Sequence, residues 1–327
     1  MSKIRLIGAC LFWQALLVNI AAAQQYPSKP IRYVVPFPPG GGNDILAREI
    51  GQHLALQLGK AVVVDNRAGA STVIGTDIVA KSLPDGYTIL MGNNTALAIN
   101  SALYDKLPFD PVKDFAPVTM LATAPFVLMV HPALPAKSLK ELIDLAKARP
   151  GKIHFASAGT GVSTHLAGEL LKSMAKIDIV HVPYRGAGPA LVDVIGGQVE
   201  MTFNNIVSSI PHIKSGRLRA LAVTGMKRSP VLPDLPTIDE PGGLKGYEAS
   251  VWYGVVAPAR TPVAIVSRLS TELNRVLNNP QVRERLNADG ATIVGGTPEQ
   301  FGLVIREDVV RWAKVVKQAN IRLDKLE

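Results

Sequence analysis

The stretch of sequence that decides the fold is IRYVVPFPPGGGNDILAREIGQHLALQL, residues 31–58. Residues 31–35 are mainly β-branched and apolar, which is typical of a buried strand. Residues 44–58 carry apolar side chains at every fourth position from Ile50, which predicts an amphipathic helix. A loop rich in proline and glycine connects the two. The folded part of the chain is therefore expected to begin with a strand, a loop and a helix.

The same alternation of strands and helices continues beyond this unit. Further strands are predicted at residues 61–64 and 88–91, and this β-α-β-α-β order predicts a parallel sheet with right-handed crossovers. The alternation restarts at residue 127 and ends at residue 223, which predicts a second sheet. The C-terminal part is mostly helical. Its three helices follow N-cap residues that stand before a proline, at Thr261-Pro262, Asn279-Pro280 and Thr297-Pro298.

Composition is typical of an ordinary α/β protein with a sizeable core. The 327 residues are 47% hydrophobic and 19% charged, and the formal net charge is +9. Nucleic-acid binding needs basic residues concentrated on one face with aromatic residues between them. Here lysine and arginine are spread along the chain, so we expect no nucleic-acid partner. A positive surface also draws in anionic ligands.

The N-terminus has the pattern of a secretory signal peptide over residues 1–23. A short cationic start and an apolar stretch, residues 6–20, precede small residues that end at Ala23. Most of this apolar stretch follows Cys10, whereas a lipoprotein signal has its apolar region before the cysteine, which disfavours a lipoprotein. Cleavage after Ala23 would remove the only cysteine and two basic residues, leaving a net charge of +7 (33 basic minus 26 acidic). We therefore expect a periplasmic protein.

The loop between the first strand and helix is a candidate anion site. It reads Pro38-Pro39-Gly40-Gly41-Gly42-Asn43-Asp44. Glycines let the backbone approach a ligand closely, and the following helix N-terminus offers free N–H groups and a positive dipole end. No Lys-Ser/Thr pair follows the glycines, so the loop is not a P-loop. A tight turn without a ligand is the alternative.

A second loop, residues 157–165, repeats the plan in the second sheet. It reads Ser157-Ala158-Gly159-Thr160-Gly161-Val162-Ser163-Thr164-His165 and lacks the third glycine of a dinucleotide fingerprint. Two such loops can face each other across a cleft. Asn93-Asn94-Thr95 follows the third strand and adds a polar edge where ligands of open α/β sheets collect, or else caps a helix.

The sequence contains no complete pattern for a catalytic site or a metal site. Ser163 is not in a G-x-S-x-G motif, and pairing it with His165 or His181 leaves the base without an orienting acid. His165 and Glu169 share a helix face, but no third metal ligand is indicated. We expect no catalytic residue, no metal and no cofactor. Residues 252–253, Trp-Tyr, either line a cleft or fill a strand.

Taken in order, these motifs resemble the Bug family, the substrate-binding components of tripartite tricarboxylate transporters. The resemblance runs from residue 26 to the C-terminus. The matching stretches are Tyr26-Pro27-Ser28-Lys29-Pro30-Ile31, Pro36-Phe37-Pro38-Pro39-Gly40-Gly41-Gly42, Asn66-Arg67-Ala68-Gly69, Pro84-Asp85-Gly86-Tyr87-Thr88, Val182-Pro183-Tyr184-Arg185-Gly186, Leu218-Arg219-Ala220-Leu221-Ala222-Val223-Thr224 and Trp252-Tyr253-Gly254.

The resemblance implies an α/β protein with the type II periplasmic-binding-protein fold. Such a fold has two lobes with mainly parallel sheets flanked by helices, and a hinge of two crossover strands. Lobe 1 would be discontinuous, joining residues 24–125 to residues 250–327. Lobe 2 would span residues 126–249.

The resemblance also implies a solute-binding protein that captures a small organic carboxylate, a dicarboxylate or aromatic acid, between its lobes. Its partners would be membrane transporter subunits or a sensor ectodomain, and we expect a monomer. An enzyme acting on a carboxylate is the alternative. The ligand-binding residues that we expect are Phe37, Pro39, Gly40, Gly41, Gly42, Asn43, Asp44, Asn93, Asn94, Thr95, Gly159, Thr160, Gly161, Val162, Ser163, Thr164, Tyr184, Arg185, Ala187 and Asn204.

The chain departs from the family pattern at several of these positions. Asn43 stands where threonine is common, and Asn94-Thr95 stands where small residues are usual. Asn204 stands where many relatives have aspartate. A neutral amide is a poorer partner than a carboxylate for an ammonium group. This departure favours carboxylates without an amine.

Overall fold

The computed structural model describes residues 26–240 and 242–318 of the chain. The predicted signal peptide lies outside the described residues. The strands are β1 (Ile31–Val35), β2 (Val62–Asn66), β3 (Thr88–Asn93), β4 (Phe115–Val130), β5 (His154–Ser157), β6 (Val180–Pro183), β7 (Met201–Asn205), β8 (Arg219–Val223), β9 (Ser250–Pro258) and β10 (Thr292–Ile293).

Helices follow most of these strands. They are α1 (Gly42–Leu58), α2 (Val73–Ala80), α3 (Asn100–Leu103), α4 (Leu139–Ala148), α5 (Ser163–Ala175), α6 (Ala187–Ile195), α7 (Ile206–Lys214), α8 (Val263–Leu277), α9 (Pro280–Ala288) and α10 (Pro298–Gln318). A 3₁₀ turn at Ala70–Thr72 precedes α2, and a π-helical turn at Thr95–Ile99 precedes α3. In the described part of the chain, no helix is both long and apolar enough to span a membrane.

The strands form one curled sheet with the order β2-β1-β3-β9-β4-β7-β5-β6, and β8 and β10 also pair with β4. β1 lies parallel to β2 and β3, and β5 lies parallel to β6 and β7, as the strand–helix alternation predicts. The centre differs from the expected parallel arrangement. There β4 and β9 run antiparallel to their neighbours, because they carry the chain from one lobe to the other and back.

The long strand β4 belongs to both halves of the sheet. Its first part pairs with β9 as far as Pro125, which lies opposite Ser250. Its last part, from Phe126, pairs with β7 and β8 instead. We call the half containing β1 to β3 and β9 lobe 1, and the half containing β5 to β8 lobe 2. The change of partner supports the predicted lobe boundaries, which remain a prediction.

The first part of β4 was not predicted from the sequence, because prolines interrupt it. Pro117 and Pro125 lack an N–H group for the sheet and argue against a strand. The structure accommodates Pro117 at a register shift in the pairing with β9. Only residues 127–130, an unbroken apolar run, were predicted as a strand.

The C-terminal helix α10 packs against lobe 1. Trp252 on β9 donates a hydrogen bond from Nε1 to Oδ2 of Asp308 at 2.8 Å. The Trp252 ring also packs edge-on against Phe301, with ring centroids 5.4 Å apart. Trp252 therefore belongs to the core. Its neighbour Tyr253 lines the cavity described below.

Candidate functional site

A cavity lies where the two lobes meet, at the ends of β3 and β5 and beside the crossover strands. Its empty volume, which includes open solvent at the mouth, is about 470 Å³. The lining residues are Phe37, Pro38, Gly41, Gly42, Asn43, Asn93, Phe126, Ala158, Val162, Ser163, Thr164, Ala187, Asn204, Asn205, Val251 and Tyr253. Both predicted anion loops contribute to this lining.

Three helices begin at the cavity with no side-chain cap from their own N-cap residue, although Oγ1 of Thr95 accepts from the first N–H of α5. α1 follows Gly41, α5 follows Val162 and α6 follows Gly186, and none of these three residues caps its helix with a side chain. The first N–H groups of a helix have no partner within the helix, and they carry the positive end of its dipole. A fourth helix, α7, begins at the cavity with Asn205 as its cap. The cavity is therefore surrounded by backbone donors suited to an anion.

The cavity lining contains amides and hydroxyls but no charged side chain. The polar lining side chains are those of Asn43, Asn93, Ser163, Thr164, Asn204, Asn205 and Tyr253. One acceptor, Oδ1 of Asn43, is buried without a hydrogen-bond partner among the described residues. A buried polar atom is normally satisfied, so this acceptor indicates a place for a ligand or water donor.

The first loop is held by a carboxylate that points away from the cavity. Oδ2 of Asp44 accepts a hydrogen bond from the Gly40 N–H at 2.9 Å and one from Nε of Arg48 at 3.1 Å. Oδ1 of Asp44 accepts from Nδ2 of Asn66 at 2.9 Å. Burial raises the pKa of Asp44, but the hydrogen bonds from Arg48, Gly40 and Asn66 outweigh burial and leave that pKa below its ordinary value. Asp44 is therefore a charged support of the loop.

The second loop is shaped by two glycines in the left-handed region. Gly159 and Gly161 have φ angles of 147° and 78°, which disfavour other residues. Oγ1 of Thr164 accepts a hydrogen bond from the Ala158 N–H at 3.2 Å and so folds the loop back on the start of α5. The Ser163 N–H donates to Oγ1 of Thr95 in lobe 1 at 3.2 Å.

Other contacts also join the two lobes around the cavity. Nδ2 of Asn205 donates a hydrogen bond to the Tyr253 hydroxyl at 2.6 Å. Oγ of Ser71 donates to the carbonyl of Thr160. A Cβ atom placed on Gly42 would lie 2.7 Å from Oδ1 of Asn205, so this position requires glycine. The lobes are therefore in direct contact across the site.

The structure brings half of the predicted ligand-binding residues into the lining. Those ten are Phe37, Gly41, Gly42, Asn43, Asn93, Val162, Ser163, Thr164, Ala187 and Asn204. The other ten do not line it: Pro39, Gly40, Asp44, Asn94, Thr95, Gly159, Thr160, Gly161, Tyr184 and Arg185.

Most of the residues outside the lining support it from behind. Nδ2 of Asn94 donates to the Ser250 carbonyl of β9 at 2.9 Å. Tyr184 and Arg185 neither line the cavity nor contact the loops through a side-chain hydrogen bond among the described residues. The Tyr184 hydroxyl donates to Oδ2 of Asp193 at 2.7 Å, and Arg185 is exposed at the surface.

Six lining residues were not predicted. Pro38 and Ala158 lie inside the two loops that the sequence analysis singled out, so the loop motifs contained their signal. Asn205 follows Asn204 and caps α7 by accepting a hydrogen bond from the Val207 N–H at 2.9 Å. Phe126, Val251 and Tyr253 lie on the crossover strands β4 and β9; the sequence left Tyr253 open between a cleft and a strand, and only the hinge topology places all three at the cavity.

Comparison with known proteins agrees with this geometry. The chain is 42% identical over 303 residues to Protein BugT of Bordetella pertussis, covering 92% of this chain and 93% of that protein. The structure matches periplasmic binding protein BugD with a TM-score of 0.88 and 35% identity, over 91% of this chain and all of that chain. It matches the Rhodopseudomonas palustris protein Rpa4515, solved with adipate, with a TM-score of 0.89, 38% identity and the same coverage.

The expected fold, that of a periplasmic binding protein, is confirmed by these neighbours. A sequence model of the tripartite tricarboxylate transporter family receptor matches residues 46–321, most of the chain. The chain therefore belongs to the tripartite tricarboxylate transporter receptor family, which includes the Bug proteins.

Proposed function

We propose that the protein is a periplasmic solute-binding protein that captures a small organic carboxylate between its lobes and catalyses no reaction. The observation that carries the proposal is the convergence of helix N-termini, three of them without a side-chain cap from their own N-cap residue, on a cavity whose lining has no charged side chain. Such a site stabilises a carboxylate with N–H donors and helix dipoles, at no cost for burying a cationic side chain. The adipate-bound neighbour supports this ligand class.

We further propose that the ligand is a dicarboxylate or aromatic acid without an amine. The lining offers no carboxylate to an ammonium group. Asn204, which lines the cavity, is a neutral amide whose Nδ2 donates to Oγ of Ser208 at 3.2 Å. An ammonium group would lose its hydration without gaining a counter-charge, and burying an unpaired charge is costly.

The enzyme alternative has one feature that resembles a catalytic pair. Oγ of Ser157 lies 2.6 Å from Nε2 of His181, a distance typical of a nucleophile and its base. Ser157, however, is 1% exposed and does not line the cavity. Ser163 does line it, but its hydroxyl faces Thr95 and not a histidine. The geometry thus favours binding over catalysis.

Delivery to a membrane partner completes the proposal. The protein would reach the periplasm through a cleavable signal peptide, residues 1–23, and would act as a monomer. It would pass its ligand to transporter subunits or report it to a sensor ectodomain. Membership in the transporter receptor family supports the first of these roles.

A thermal-shift screen tests the proposal. The purified protein is unfolded and refolded to remove co-purifying molecules, then screened against dicarboxylates, aromatic acids and acidic amino acids. A ligand at 100 times its Kd stabilises the folded state by about 2.7 kcal/mol. Sodium chloride and sulfate at matched ionic strength are the controls. A screen in which no carboxylate raises Tm beyond these salts contradicts the proposal, and so does chemical conversion of the ligand during incubation.

Malate and aspartate form a matched pair for the amine question. They differ at one carbon, where a hydroxyl replaces an ammonium group. We expect malate to bind at least tenfold more tightly, measured by calorimetry. Tighter binding of aspartate would refute the exclusion of amines while leaving the carboxylate class intact.

A further inference from the structure

Two histidines lie stacked behind the second anion loop. His165 on α5 and His181 on β6 have ring centroids 3.8 Å apart and an interplanar angle of 21°. Phe155 on β5 covers the pair, with its ring centroid 4.9 Å from that of His181. His165 is 7% exposed. Neither ring lines the ligand cavity.

Each ring is connected by hydrogen bonds to one glycine of the loop. Nδ1 of His165 accepts a hydrogen bond from the Gly161 N–H at 3.0 Å. Nε2 of His181 lies 2.6 Å from Oγ of Ser157, which in turn accepts from the Gly159 N–H at 3.2 Å. The stacked rings therefore fix the two glycines that shape the loop.

We propose that His165 and His181 are positioning residues of the ligand site: as a neutral, stacked pair they hold residues 157–161 in the conformation that presents the start of α5 to a ligand carboxylate. The proposal rests on the proposed function for its ligand. Its structural part, the hold on the loop, is independent of any ligand.

The geometry requires the His165 imidazole to be neutral and excludes a charge on both rings at once. Nδ1 of His165 accepts the Gly161 N–H only through its lone pair, so the proton of the neutral ring is on Nε2. Protonation of Nδ1 would remove the acceptor and set two N–H groups against each other. Two charged rings at stacking distance would also repel each other.

The surroundings do not compensate a charge on either ring. Oε1 of Glu169 lies 3.7 Å from Nε2 of His165, but the same oxygen accepts a hydrogen bond from Nζ of Lys172 at 3.2 Å. Burial, followed by the charge of Lys172, lowers the pKa of His165 to about 4. Burial, followed by the charges of His165 and Lys172, lowers the pKa of His181 to about 3. The pair is neutral at the pH of ordinary growth media.

The test compares four variants of the ¹⁵N-labelled, ligand-free protein by NMR. His165→Asn places an amide oxygen near the position of Nδ1 and cannot titrate, and His181→Gln does the same for Nε2. His165→Leu removes the acceptor. His131→Asn is the matched control, because Nδ1 of His131 accepts a backbone N–H from Ala133 at 3.2 Å in a loop outside the cavity.

At pH 7 we expect the Gly161 amide of the wild-type protein to exchange slowly with solvent. In His165→Leu its exchange should be at least tenfold faster, while His165→Asn and His131→Asn should retain protection. In wild type the Gly161 amide shift should titrate below pH 5, and this step should be absent in His165→Asn. His181→Gln should keep Gly159 protected. If His165→Leu does not fold, the variants His165→Asn and His181→Gln and the wild-type titration still test whether the histidines hold the loop.

Several results would overturn the proposal. They are equal Gly161 exchange in wild type and His165→Leu, loss of protection in His165→Asn, or titration of His165 near pH 6.5 with no change at Gly161. Calorimetry with adipate adds a readout on the site, where we expect at least tenfold weaker binding to His165→Leu and near-normal binding to His165→Asn. If adipate binds neither wild type nor variants, that ligand is refuted while the exchange data still decide the role of the histidines.

Discussion

The two loops at the cavity share a backbone plan but differ in what holds them. The first loop depends on a buried charge, because Asp44 accepts hydrogen bonds from the Gly40 N–H and from Arg48. The second loop depends on uncharged groups, because its glycines are held by His165 and by Ser157 beside His181. Both lead into a helix that has no side-chain cap from its own N-cap residue.

This difference shows how one electrostatic requirement is met in two ways. A carboxylate bound by helix dipoles needs its surroundings to present no net negative charge. In the first loop, Arg48 lies 2.9 Å from Asp44 and cancels its charge. In the second loop, the supporting side chains of Ser157, His165 and His181 carry no negative charge in either protonation state of the imidazoles. The lining can therefore be free of charged side chains while the layer behind it contains them.

The largest expected effect on ligand affinity comes from Gly42, where the first loop lies close to Asn205 and Tyr253. A Cβ atom on Gly42 would lie 2.7 Å from Oδ1 of Asn205 and 2.9 Å from the Tyr253 hydroxyl, so Gly42→Val should keep the lobes apart. We expect calorimetry to show carboxylate affinity reduced about 1000-fold, or ~4 kcal/mol.

Gly51→Ala, further along α1 and outside the cavity lining, is the control for this variant. Its Cβ atom would lie 3.5 Å from Cγ1 of Val62, an ordinary contact, so binding should change less than about threefold, which is below ~1 kcal/mol. Cooperative unfolding of both variants shows that the fold is intact. Near-normal binding by Gly42→Val would mean that the two lobes need not meet at this point.

Asp44→Asn should have the next largest effect, because it removes the charge that holds the first loop. Arg48 would lose its ion pair and keep its hydrogen bond to Oδ1 of Asn66, and the Gly40 N–H would lose a hydrogen bond to a charged acceptor. We expect a loss of roughly 2–3 kcal/mol in the free energy of unfolding, measured with urea.

Asp144→Asn is the matched control, since Lys140 and Asp144 form an i,i+4 pair that is exposed on both sides. Such pairs contribute about 0–1 kcal/mol. Equal losses in Asp44→Asn and Asp144→Asn would show that the first loop does not depend on its buried carboxylate.

The loops themselves were predictable from sequence, but their supports and the lobe contacts were not. Strings such as Gly40-Gly41-Gly42 have few structural roles other than a tight turn before a helix. Asn205 and Tyr253 form a hydrogen bond although they are 48 residues apart, and nothing local in the sequence indicates that pairing. Arg185 was expected at the site from the family resemblance, whereas the structure leaves it exposed at the surface.

Mild acid should destabilise the second loop, which is held by His165 and His181, and leave the first loop, which is held by Asp44, unaffected. The folded-state pKa values of His165 and His181 lie below the ordinary 6.5, so between pH 6.5 and pH 5 the unfolded chain binds more protons than the folded chain. Stability from these groups is therefore present above pH 6.5 and lost as pH falls. At pH 5 the loss is roughly 2 kcal/mol for one such histidine. Asp44, whose pKa is lowered, stays charged throughout this window.

Thermal unfolding at pH 7 and pH 5 measures this difference. From pH 7 to pH 5, the Tm of the double variant His165→Asn/His181→Gln should fall less than the Tm of wild type. The variant Asp44→Asn should lose as much as wild type, because it keeps both histidines. The same pH dependence in the double variant and in wild type would place the acid-sensitive groups elsewhere.

The smallest expected effect concerns Tyr253, which joins the second lobe to the first without belonging to either loop. Its hydroxyl accepts a hydrogen bond from Nδ2 of Asn205 at 2.6 Å, and burial raises its pKa, so the hydroxyl keeps its proton and can donate it into the cavity. Tyr253→Phe removes one neutral hydrogen bond between the lobes, worth about 1 kcal/mol, and should weaken carboxylate binding about fivefold. Tyr33→Phe is the control, because the Tyr33 hydroxyl contacts only Sδ of Met91 in the core of lobe 1, and calorimetry should show unchanged affinity. A loss above about 100-fold in Tyr253→Phe would instead make this hydroxyl a principal ligand donor, equal in weight to the two loops.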